Sequence, residues 1–234
     1  MNGKAYESEV RKGAAEYLED KYGVSFSISR VIPASNPFTG TAYDRIYVEG
    51  PDGRGEFLVK RHEEDGRYRF EDGYAYWLAA DYLNPILKRL ATELEPGCSM
   101  AARFSSPAET TLYEYSGRFD WDGFRVAEEG RSAALVDVVL PRLLDETHLE
   151  AAHLHALVRI LDGAGVFTPW NVRIWYFEPN DEGPRASHLV DLESEQVRAE
   201  YGPVYSIVLW RDGPGDPEWS EERIAERLEG TVLE

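Results

Sequence analysis

Residues 133–178 constrain the fold more than any other stretch of the chain. Residues 133–140 form an apolar, β-rich run that ends at Pro141. A helical pattern follows over about 145–161 and is closed by Gly163-Ala164-Gly165. The next run, 172–178, reads as a strand. Val172, Ile174 and Tyr176 take one face, and Arg173, Trp175 and Phe177 the other. Both faces carry bulk, so this strand is expected inside a sheet with a helix or partner over it. Strand, helix, strand in this order is the pattern of a parallel crossover, which is right-handed in nearly all sheets.

The remaining segments add antiparallel signals. In 5–22, Val10, Ala14, Tyr17, Leu18 and Tyr22 recur at helical spacing, and Gly23 stands where a C-terminal cap belongs. Val24, Phe26 and Ile28 then alternate with serines, as in a half-buried strand. Strands are expected at 43–49 and 56–61 around the turn Gly50-Pro51-Asp52-Gly53, and Asp65-Gly66 signals a hairpin into 68–70. A helix over 74–94 contains Pro85, which is expected to kink or split it. Residues 100–104, 111–115 and 124–127 read as short strands, as do 188–192 and 204–211. Asp216 or Ser220 caps a last helix running through 229.

These elements imply an α+β fold, antiparallel-rich sheets flanked by helices, in two halves of helix-strands-helix order. The expected division is an N-terminal half at 1–96, a β-rich connector at 97–132 and a C-terminal half at 133–234, or one compact unit of all three. No residue-level repeat accompanies the shared order. Ala14-Ala15-Glu16-Tyr17-Leu18-Glu19-Asp20-Lys21-Tyr22-Gly23 with Phe26, and Phe70-Glu71-Asp72-Gly73-Tyr74-Ala75-Tyr76-Trp77-Leu78, resemble small uncharacterised α+β proteins of Gram-positive bacteria. Those open with a YLxxKYG helix end and a DxY helix start, and 134–178 is similar to their later half. Many look like exported lipoproteins, whereas this sequence lacks the lipobox Cys and leader. The resemblance implies a fold and transfers no catalytic residue.

Charge narrows the partners. With 43 acidic and 25 basic residues the formal net charge is −18, which argues against nucleic acid and against anionic membrane surfaces. Residues 1–117 hold 19 acidic and 14 basic residues, net −5, and residues 118–234 hold 24 and 11, net −13. An acidic binding face therefore belongs to the second half, where a basic protein is the expected partner; plain solubility is the simpler reading. The single Cys98 excludes an internal disulfide and a thiolate zinc cluster. Residues 1–10 carry no apolar segment of a signal peptide, and no stretch is apolar enough to span a bilayer. A cytoplasmic location is expected, or an exported one if a leader has been removed. The oligomeric state is open.

Four constellations could carry chemistry. His148 and His155 fall on the solvent face of their helix about two turns apart, roughly 10 Å, too far for one metal, while His153 points toward the core edge. Asp120-Trp121-Asp122-Gly123 has part of a calcium loop's donors, but a turn explains it as well, and no metal site is expected. Asp191 and Glu193 share a strand face, where paired carboxylates could do acid-base work in an apolar pocket. Trp175, Phe177 and Trp210 are the aromatic candidates for a recognition surface. Nucleophile and phosphate-loop motifs are absent, and no cofactor is expected. The leading expectation is a non-enzymatic binding or accessory protein that meets a basic partner through its acidic second half; a protein that neutralises a basic nuclease is one version. The alternative is a hydrolase using Asp120, Asp122, Asp191 or Glu193.

Overall fold

Helix α1 (Gly3–Tyr22) buries one stripe, Val10, Ala14, Leu18 and Lys21, and ends at Gly23, whose φ of +72° lets its N–H reach the Glu19 carbonyl at 2.8 Å. The structure is a computed structural model that describes residues 3–34, 43–105, 119–128, 133–142, 147–163, 170–177, 186–189, 196, 205–211 and 219–231. After α1 come β1 (Ser27–Ile32), β2 (Asp44–Glu49), β3 (Glu56–Glu64) and β4 (Arg67–Asp72), an antiparallel meander in sequence order. In β2 buried Asp44, Ile46 and Val48 alternate with more exposed neighbours, as a strand covered on one face requires. Asp65 and Gly66, both at positive φ (52° and 73°), make the expected two-residue hairpin between β3 and β4. The expected strand over Val24 starts later than its alternation suggested. Val24 is 42% exposed, and pairing with β2 begins at Ser27.

Helix α2 (Tyr74–Leu94) runs unbroken through Pro85, which is exposed, so the expected split is not seen. The second sheet has the order β5 (Ser99–Ser105), β6 (Ala133–Leu140), β7 (Trp170–Tyr176), β8 (Tyr205–Arg211). β6 and β7 are parallel and are joined through α4 (Thr147–Gly163), as the sequence pattern required; the other two pairings are antiparallel. The fold is α+β.

Two expected strands are helical. The 124–127 segment lies in α3 (Trp121–Glu128), because Asp120 caps it: its Oδ1 accepts the Gly123 N–H at 2.6 Å and its carbonyl accepts the Phe124 N–H. Residues 188 and 189 lie in the short α5 (Ala186–Leu189), whose Ala186 and Leu189 are buried against the second sheet; 190–192, like 111–115, lie outside the described residues. The last helix, α6 (Glu221–Thr231), is capped by Ser220, whose Oγ accepts the Arg223 N–H at 3.3 Å.

The chain divides into two compact units, 1–79 with 106–128 and 80–105 with 129–234. The connector is thus shared out, α3 going to the first unit and β5 to the second. The first core joins Val10, Ala14 and Leu18 of α1 to Ile46, Val48, Phe57 and Val59 of the meander. In the second unit Val136, Val138, Val172, Ile174, Ile207 and Leu209 of the sheet are buried, as are Leu154, Leu157, Val158 and Leu161 of α4.

Candidate functional site

The residues nominated from sequence fall in separate places. Asp120 is exposed and spends an oxygen on the α3 cap, and Asp122 is exposed in that helix's first turn, where a negative charge suits the helix dipole. Asp191 and Glu193 lie outside the described residues. Trp175 is fully buried. Its indole Nε1 donates to Asp137 at 2.7 Å and its ring packs with Ala101, Val139, Ala186 and Leu189. Phe177 belongs to the same cluster, which makes both residues part of the core of the second unit. Trp210 stands at the surface, 36% exposed.

Buried charges in the second unit are neutralised internally. Arg173 forks onto Asp137 from the facing strand position at 2.8 and 2.7 Å and donates to the Leu189 carbonyl, tying β6, β7 and α5 together. At the carboxyl ends of β6 and β7, Arg142 forks onto Glu150 at 2.5 and 2.8 Å and reaches Glu95 at 3.0 Å. Tyr176 donates to Glu150 at 2.7 Å. Burial and the Glu150 charge hold this phenol well above the usual tyrosine range, so it is no proton acceptor. The bond to Glu150 likewise holds the Arg142 guanidinium protonated. A guanidinium only donates, so at the 3.0 Å contact between Arg142 and His153 the imidazole Nδ1 is the acceptor. Cys98 is half-buried, and its thiol is pushed up to about 12 by desolvation and then by Glu95. Arg142, Glu150, Glu95 and Tyr176 hold the strand ends in place through one another. Among the described residues no group of three or more His, Cys, Asp and Glu is placed to hold a metal. His155 meets Glu221 of α6 at 3.4 Å.

The surface of the second unit is different in kind. Trp219, just before α6, donates its indole N–H to the Trp210 carbonyl at 2.7 Å, and the two rings meet edge to face at 5.7 Å. Arg227 covers Trp210 and Arg223 covers Trp219, with guanidinium carbons 5.1 and 4.4 Å from the ring centroids. Ile224 and Leu228 point inward, so the helical period leaves Glu221, Glu222, Glu226 and Glu229 exposed. The result is a fixed aromatic pair, Trp210 partly exposed and Trp219 buried beneath Arg223, next to a helix with four exposed glutamates. Composition pointed to the acidity and to Trp210. Only the period of 221–229 picks out which glutamates share the face, and the pairing of Trp219 with Trp210 is tertiary.

The first unit has its own buried centre and a cavity. Asp72, fully buried, accepts from Tyr22 at 2.6 Å, Lys21 at 2.6 Å, Tyr17 at 2.7 Å and the Tyr74 N–H at 3.0 Å. Tyr17, Lys21 and Tyr22 come from one helix, but the carboxylate they meet lies some fifty residues on, so the cluster is tertiary. Beside it a cavity of about 390 Å³ is lined by Tyr22, Val24, Tyr74, Leu78 and Phe119.

No family model matches the chain, and no curated protein does. Among solved structures it is similar to a DUF5037 family protein from Ruminococcus gnavus ATCC 29149, 11% identical, with a TM-score of 0.42 over 93% of this chain and 99% of that one. A likeness this remote carries neither activity nor residue roles to the present chain.

Proposed function

We propose that the protein is a non-enzymatic binding or accessory protein that engages a basic protein partner through the acidic surface of its C-terminal half, a nuclease-neutralising role being one version. The observation that supports this most is the partly exposed Trp210, held by the buried Trp219, on the same unit as the exposed Glu221, Glu222, Glu226 and Glu229. Rigid aromatics with a polar edge anchor interfaces, and surrounding charge of one sign steers an oppositely charged partner toward them. The net −13 of residues 118–234 extends the same sign well beyond the helix. The resemblance to uncharacterised proteins of Gram-positive bacteria is compatible with this reading and assigns no role to any residue.

Affinity capture at low salt, followed by identification of the retained proteins, tests the reading. The retained partner is expected to be basic. It should elute as ionic strength rises to about 0.5 M, where charges more than a few ångströms apart are screened. The triple variant Glu222→Lys, Glu226→Lys, Glu229→Lys should fail to retain it. A partner held regardless of salt and of the charge reversal would refute the acidic-face interaction.

A further inference from the structure

The cavity of the first unit lies outside everything argued for α6. Three of its five lining residues, Tyr22, Tyr74 and Phe119, are aromatic, and its volume of about 390 Å³ is within the range of small-molecule sites. The Tyr22 and Tyr74 rings meet edge to face, 80° apart with centroids 4.9 Å from one another. The Tyr22 hydroxyl donates to the Asp72 carboxylate at 2.6 Å, which draws electron density into the ring and strengthens its face toward a cation. That ring already takes one: the Lys21 ammonium lies 5.3 Å from its centroid, with its charge met by Asp72.

No lining side chain carries a charge. An ammonium with N–H groups would find no anion there to receive them. A fully methylated ammonium has none to satisfy. Exposed Glu19 and Asp20 stand close in sequence to Tyr22, and exposed Asp120 adjoins Phe119, so the neighbourhood favours a positive guest. We propose that this cavity binds a quaternary ammonium group, the trimethylammonium head of a choline-type molecule, by cation–π contact with Tyr22, Tyr74 and Phe119.

Titration calorimetry on the full chain with choline chloride and with its uncharged isostere 3,3-dimethylbutan-1-ol tests this. Choline is expected to bind saturably and about tenfold more tightly than the alcohol. Equal binding of the two would overturn the proposal, as would binding of neither. Val24, 42% exposed at the cavity, supplies variants that leave the core alone. Val24→Lys should weaken choline several-fold and Val24→Glu should tighten it, and choline affinity indifferent to both would also overturn the assignment. Phosphatidylcholine vesicles separate the two sources of the group. Vesicle binding displaced by choline points to a lipid headgroup, and choline binding without vesicle binding points to a free metabolite; either upholds the site.

Discussion

Asp137 shows what one residue does here. Its carboxylate receives Arg173 and Trp175, all three buried. Replacing it by Asn strands the guanidinium without a counter-charge, which should cost about 3–5 kcal/mol in urea unfolding. Asp137→Leu combined with Arg173→Met should recover most of that, because a buried pair contributes little net stability over apolar residues of similar size. Cys98 gives a pH prediction with a definite sign. Its thiol is raised in the folded state from 9.0 to about 12, so folding favours the protonated form. The associated stability is intact below pH 9 and is lost as pH rises toward 12. A Cys98→Ala variant should therefore lose less stability than the parent over that interval, measured as the difference between their denaturation free energies. Disulfide-exchange reagents should also react far more slowly with the native protein at pH 8 than with the unfolded chain. Neither pairing was legible in the sequence. Asp137 interrupts an apolar strand and Arg173 sits in another, and only the parallel register sets them side by side.

At the scale of elements, the strongly patterned segments were legible: α1 by its stripe and terminal glycine, the meander by its turns, and β6-α4-β7 by its order. The failures share a cause. α3 and α5 span 8 and 4 residues, too few turns for a 3.6-residue period to stand out from an alternating one. Caps also fix where longer helices begin, Ser220 at the start of α6 among them. Ser220→Ala should destabilise by about 1 kcal/mol through the lost bond to the Arg223 N–H, read by chemical denaturation. A second device protects an edge. Asn84 of α2 accepts the Ala102 N–H at 2.7 Å and donates to the Ala102 carbonyl at 3.4 Å, imitating a neighbouring strand along β5. Asn84→Ala should cost about 1–3 kcal/mol and raise aggregation on warming, followed by light scattering. Pro85, next in the chain, is exposed within the same helix and leaves one carbonyl without its helical N–H. Pro85→Ala is expected to raise the thermal midpoint.

For the molecule as a whole, a formal −18 means that folding gathers like charges together. Raising sodium chloride from about 10 to 500 mM shrinks the screening length severalfold and should raise the melting temperature, visible by calorimetry. Lysine substitutions of Glu222, Glu226 and Glu229 on α6 should leave most of that salt response in place while weakening the proposed partner association. The acidity was readable from composition; the contact between Trp210 and Trp219 required the fold. The two sheets also differ in when they can exist. Every strand of the first pairs with its sequence neighbour between residues 27 and 72, so a chain emerging from the ribosome can close that sheet early. The second sheet needs β7 beside β6 before β6 is covered on both edges, and β8, ending at residue 211, before β7 is. β6, with Val136, Val138 and Val139 all buried in the finished protein, must therefore wait in the nascent chain as an apolar strand, which makes it the segment where a chaperone would be most needed.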